Sequence, residues 1–117
     1  MYQEIIALLG EYGEVLTEHI GEAALSAMGE DSGSQYIYER DTDWIRDADV
    51  VVAEVTIPSL GVGYEIGLAE SLEKRILSLY REQEDRRVSA MISGNRNLSI
   101  AEYESIDDVD ACLKDFF

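Results

Sequence analysis

The chain has 117 residues, 46% of them hydrophobic and 29% charged, proportions of one globular domain and not of a disordered segment. Nine Lys and Arg against 25 Asp and Glu leave a net charge of −16, which argues against nucleic acid and anionic membrane surfaces as partners and requires local donors for any anionic substrate. A single cysteine, Cys112, and a single histidine, His19, build neither an internal disulfide nor a usual zinc site, so no metal or other cofactor is expected and a reducing cytoplasm is the expected compartment.

No apolar run approaches the roughly 20 residues of a membrane span, and no signal peptide is visible. Residues 2–10 carry Ile5, Ile6, Leu8 and Leu9 in a helical stripe that ends in glycine. Residues 14–19 are β-prone and predict a strand. Residues 22–28, rich in alanine, predict a helix, and the acidic, Gly- and Ser-containing stretch 29–35 predicts a surface loop. Residues 36–47 place Tyr36, Ile37, Trp44 and Ile45 within a helical period. The nearly continuous apolar run 50–55 is the pattern of a strand buried on both faces, as in parallel sheets.

A turn is predicted over 56–61, with the single proline at Pro58, and a helix over 62–74 with Ile66, Ala69 and Leu72 on one side. A second buried strand follows at 76–80, then a charged loop over 81–87, one helical turn over 88–92 and a strand of mixed polarity over 98–103. Ser105 opens a last helix over 106–117, with Asp107 and Asp108 in the first turn, where the dipole favours them. Strand, crossover helix and strand in repetition imply an α/β fold: four strands in a mainly parallel sheet with helices on both faces.

In such sheets ligands bind beyond the carboxyl ends of the strands. The segment Glu54-Val-Thr-Ile-Pro-Ser-Leu-Gly-Val-Gly-Tyr-Glu65 occupies that place. Ser59, Gly61 and Gly63 fall just before a predicted helix, whose N–H groups and serine hydroxyl make an anion site that glycine lets a ligand approach. Glu65 lies near the same mouth. The plainer reading has the glycines shaping a turn, Ser59 capping the helix and Glu65 complementing its dipole. The dinucleotide fingerprint is not met, because its third glycine would fall where Ile66 stands.

Asp41, ordinarily a solvated surface group, is in its functional reading half of a carboxylate pair with Glu65, the arrangement that cleavage of a glycosidic bond requires. His19 could line the same mouth but reads more simply as a structural polar contact. Cys112 reads as a small apolar residue, and Trp44, Phe116 and Phe117 as core or interface.

The run Asp47-Ala-Asp-Val-Val-Val-Ala-Glu-Val-Thr-Ile-Pro-Ser-Leu-Gly-Val-Gly-Tyr-Glu-Ile-Gly resembles the nucleoside 2-deoxyribosyltransferase superfamily, and within it the 2′-deoxynucleoside 5′-monophosphate N-glycosidases. Val15-Leu-Thr-Glu-His19, Tyr38-Glu-Arg-Asp-Thr-Asp-Trp44, Lys74-Arg-Ile-Leu77 and Val88-Ser-Ala-Met-Ile92 support it in the same order along the chain.

The resemblance implies a Rossmann-like (flavodoxin-like) three-layer sandwich. The family's first strand and its glycine-rich loop, which precede the helix at Tyr2, are missing from this sequence. The strand at 14–19 is then expected to pair directly with that at 50–55, or the place to be filled from another chain. The resemblance further implies that Glu65 attacks C1′ to form a glycosyl-enzyme intermediate. Asp41 would orient the sugar and assist protonation of the departing base, and Ser59 and Gly61 would hold the 5′-phosphate. Ser89 would reach the neighbouring subunit's phosphate site, which implies a homodimer. The implied reaction is hydrolysis of a small deoxynucleotide to free base and deoxyribose 5-phosphate. Transfer of the sugar to a second base, and a nucleotide-binding or dimerisation module without catalysis, are the alternatives.

Overall fold

The computed structural model describes residues 2–16, 33–83 and 87–117. Its chain divides into two compact units, Met1–Ala48 and Asp49–Phe117.

The first unit contains α1 (Tyr2–Leu9) and α2 (Gly33–Asp47). Ile5 of the apolar stripe is buried in α1, and the helix closes with the Gly10 N–H donating to the Ile6 carbonyl at 3.1 Å. Residues 33–35, expected in a loop, instead form the first turn of α2. The Gln35 amide donates to Glu39 Oε1 at 3.1 Å, one helical turn on, and a bond of this spacing supports helix where composition alone suggests a loop. The buried Thr42 hydroxyl bonds back to the carbonyls of Tyr38 at 2.8 Å and Glu39 at 3.2 Å, so its burial leaves no polar atom unpaired. Of the strand expected at 14–19, residues 14–16 carry no strand. Residues 17–19, with His19, the helix at 22–28 and the loop residues 29–32 lie outside the described residues.

The second unit is the parallel α/β sheet that the alternation of segments predicts. Its elements are β1 (Val50–Glu54), α3 (Leu60–Ser71), β2 (Arg75–Tyr80), α4 (Ala90–Ser93), β3 (Ser99–Glu102) and α5 (Ile106–Phe116). Three strands are described, in the order β1-β2-β3, all parallel. Val52 pairs with Leu77 and Leu79 with Ala101. The ladder runs one residue past each outer strand, with Val55 N–H donating to Leu79 at 2.8 Å and Tyr103 N–H to Tyr80 at 2.9 Å. Central β2 buries every residue from Ile76 to Leu79, which is why its sequence shows no alternation. α3 packs across β1 and β2 through buried Ile66 and Ala69.

α3 stops earlier than expected, with Leu72 as its C-cap, and Glu73 turns the chain toward β2 at φ 60°. The apolar stripe through Leu72 carries no mark of that stop, because the left-handed residue is not a glycine.

α5 begins at Ser105 as expected, and Asp108 Oδ2 accepts from the Glu104 N–H at 2.9 Å and the Ser105 N–H at 3.3 Å. Asp108→Ala removes the acceptor for both donors and is expected to lower unfolding stability by about 1 kcal/mol, read as a shifted urea midpoint at unchanged slope.

Candidate active site

The chain leaves β1 at Glu54, at the carboxyl edge of the sheet, and enters α3 at Leu60. Pro58 cannot donate a backbone N–H, and the extended Ser59 after it (φ −145°, ψ 121°) caps the helix, its Oγ accepting from Val62 N–H at 3.2 Å. The capping reading of Ser59 therefore holds.

The turn reading of the glycines does not. Gly61 and Gly63 lie inside the first turns of α3, and no described glycine has a positive φ. A side chain at Gly63 would meet nothing within 4 Å. A Cβ at Gly61 would lie at ordinary contact distance from two atoms, Ser59 Oγ at 3.9 Å and Glu65 Oε1 at 4.0 Å. Each glycine costs a helix about 1 kcal/mol relative to alanine. Among the described residues neither packing nor backbone conformation requires them, so what they supply is open space against the helix.

Glu65, half-buried, turns its carboxylate back toward the helix N-terminus over Gly61, one turn earlier, as side-chain direction on a helix dictates. The structure thus brings Ser59, Gly61 and Glu65 to one small surface, where the first N–H groups of α3 have no acceptor within the helix. Such an end attracts an anion, and the hydroxyl beside it adds a further donor.

Ser89 lies beyond β2 in the same unit and is exposed. It caps α4, its Oγ accepting from Met91 N–H at 3.2 Å. Asp41 belongs to the first unit, and it sits within α2 instead of being freely solvated. Arg40 Nε donates to Asp41 Oδ1 at 3.0 Å, with both side chains about four-fifths buried. The Arg40 guanidinium itself lies over the Trp44 ring at 4.7 Å and the Tyr36 ring at 5.5 Å. Trp44 is thus a platform for Arg40 as well as a half-buried residue. Phe116 is core, and Phe117 is 46% exposed, its ring edge-on to that of Phe116 at 5.3 Å.

A cluster that sequence reading misses stands at the same carboxyl edge. Tyr103 donates its hydroxyl to Glu54 Oε2, and Thr56 bonds the same carboxylate twice, through its N–H at 2.7 Å and its hydroxyl at 2.8 Å. Burial, then the bond and the negative charge of Glu54, push the Tyr103 hydroxyl from 10.0 up to about 12. Its proton therefore holds the bond fully below pH 10, and the stabilisation is lost as pH rises through about 12. The available signal was Glu54 itself, the charged residue in an otherwise apolar run, which burial obliges to find partners. Cys112 is free and partly buried, and desolvation raises its thiol above the usual value. Among the described residues no group of three His, Cys, Asp or Glu side chains could hold a metal ion, and no helix is long and apolar enough to cross a membrane.

A family model described as nucleoside 2-deoxyribosyltransferase matches residues 1–113. The chain is 49% identical over 122 residues to a protein of Nematostella vectensis named putative 2′-deoxynucleoside 5′-phosphate N-hydrolase 1, covering 100% of this chain and 82% of that one. It is 47% identical over 122 residues to the 5-hydroxymethyl-dUMP N-hydrolase of Homo sapiens, covering 100% of this chain and 70% of that one. The solved structure of a CMP N-glycosidase from Clostridium botulinum shares the fold at a TM-score of 0.59 and 24% identity, over 69% of this chain and 74% of that one.

Proposed function

Because this chain belongs to the nucleoside 2-deoxyribosyltransferase family, we propose that it hydrolyses the N-glycosidic bond of 2′-deoxynucleoside 5′-monophosphates to free base and 2-deoxyribose 5-phosphate. The observation that carries the reading is the Glu65 carboxylate laid over Gly61 beside Ser59, at a helix N-terminus suited to a phosphate.

The N–H groups of the first turn of α3 and the Ser59 hydroxyl hold the 5′-phosphate, overcoming the net charge of −16 by proximity. Glu65 attacks C1′, forming a glycosyl ester as the C1′–N bond breaks. Asp41 orients the sugar and assists protonation of the departing base. Water then attacks C1′, the ester bond breaks, and the Glu65 carboxylate is regenerated. Transfer to a second base shares the first half of this sequence. The N-hydrolase names of the relatives favour water as the acceptor.

The site is proposed to be shared in a homodimer acting in a reducing cytosol, each Ser89 reaching the partner's phosphate site. Ser89 is exposed at the start of α4, next but one to Met91, which is 83% exposed. Sedimentation at micromolar concentration should find twice the chain mass, and a monomer would count against a shared site.

Incubation with each deoxynucleoside monophosphate is expected to release base and deoxyribose 5-phosphate in equal amounts. A new nucleotide formed on adding a second base would identify a transferase. Binding of nucleotide without release of base would leave a non-catalytic module.

A further inference from the structure

The Glu54 cluster stands at the carboxyl ends of all three described strands. Glu54 ends β1, Arg81 follows β2 and Tyr103 follows β3. Tyr103 is 2% exposed. Both Glu54 oxygens are engaged: Oε1 accepts the Thr56 N–H, while Oε2 accepts the Thr56 and Tyr103 hydroxyls. The Thr56 hydroxyl, its proton given to Glu54, accepts the Arg81 N–H at 2.9 Å. Each of these bonds engages a donor and an acceptor of the cluster, as a carboxylate in partial burial requires. An apolar side chain at position 54 would satisfy the core at lower desolvation cost. What the carboxylate adds is an anchor for Thr56, whose backbone and side chain it holds together, and Thr56 stands three residues before Ser59.

We infer that Glu54 and Tyr103 are positioning residues. They fix the direction in which the chain leaves β1, and through Thr56 they set the placement of Ser59 and the first turn of α3 for the substrate's phosphate. They touch neither C1′ nor the base and act through the turn, so their effect falls on capture of the phosphorylated substrate more than on the chemical step. This inference rests on the reading of that turn as the phosphate site.

Tyr103→Phe keeps the buried ring and deletes the donor. In the full chain it is expected to raise KM for a deoxynucleoside monophosphate roughly tenfold, the size of one lost bond to a charged acceptor, with kcat changed by less than about threefold. The corresponding deoxynucleoside, which has no phosphate, should show an unchanged kcat/KM. Amide exchange in the free protein should quicken at Thr56 and at Val62, whose N–H bonds Ser59 Oγ. Thr56→Val, which breaks the hydroxyl link by another route, should repeat both effects if Tyr103→Phe fails to fold.

A purely structural cluster would quicken exchange at Thr56 and Arg81 alone and leave KM where it was. That result, or equal losses on the phosphorylated and unphosphorylated substrates, overturns the inference. If the parent releases no base, the hydrolase reading falls, and calorimetric affinity for the monophosphate decides the inference by itself. A tenfold weaker complex in Tyr103→Phe, with exchange raised at Val62, upholds it, and an unchanged affinity overturns it.

Discussion

Glu65→Gln is expected to lower kcat for base release on the order of 10⁴-fold while nucleotide affinity stays within a few-fold of the parent. The amide preserves the shape of the side chain over Gly61 but is neutral and a far poorer nucleophile toward C1′. The Ser59 Oγ still accepts the Val62 N–H, so the helix cap and the phosphate site should survive. Steady-state kinetics beside calorimetric binding separates the two effects. A variant that releases base as fast as the parent would exclude Glu65 as the nucleophile.

Asp41→Asn is expected to slow the reaction by roughly 10²–10⁴-fold, the range for loss of a group that handles a proton in the transition state. The Asn carbonyl can still accept the Arg40 Nε–H that Asp41 accepts at 3.0 Å, and Arg40 keeps its seat over Trp44 and Tyr36, so α2 should remain intact. The deficit should shrink for a base that departs readily without protonation. An equal deficit for good and poor leaving bases would assign Asp41 to orienting the sugar alone.

What was legible in the sequence was what local pattern determines. β2 shows as an apolar run because a parallel strand covered on both faces has no polar side to alternate with, whereas β1, expected to be buried on both faces, has only Ala53 of its five residues buried and the others half-buried. The cap Ser59 was legible, because a cap acts within a residue or two of the helix it precedes, but α3 begins at Leu60, two residues before the expected 62. The first turn of α2 was hidden because the Gln35–Glu39 bond forms only once the helix is present. The end of α3 was hidden because Glu73 takes a left-handed conformation without a glycine to announce it.

Within the site, Ser59, Gly61 and Glu65 share a single helix, so their spacing places them together. Their roles came from a resemblance and not from spacing, since the same residues also read as a cap, a turn and a dipole partner. The Glu54–Tyr103 bond joins positions 49 residues apart and was invisible to any local window. It becomes visible only when the ends of β1 and β3 are brought to one edge of the sheet.

The most direct measurement of the double-displacement account is the configuration of a trapped product. Hydrolysis of a deoxynucleoside monophosphate in water containing methanol diverts part of the intermediate to methyl 2-deoxyriboside 5-phosphate, whose anomeric configuration is stable and readable by NMR. Attack by Glu65 followed by attack of the acceptor inverts C1′ twice, so the methyl glycoside should carry the β configuration of the substrate. Recovery of the α anomer would mean a single displacement, with Glu65 activating the acceptor instead of bonding to the sugar, and would contradict the mechanism.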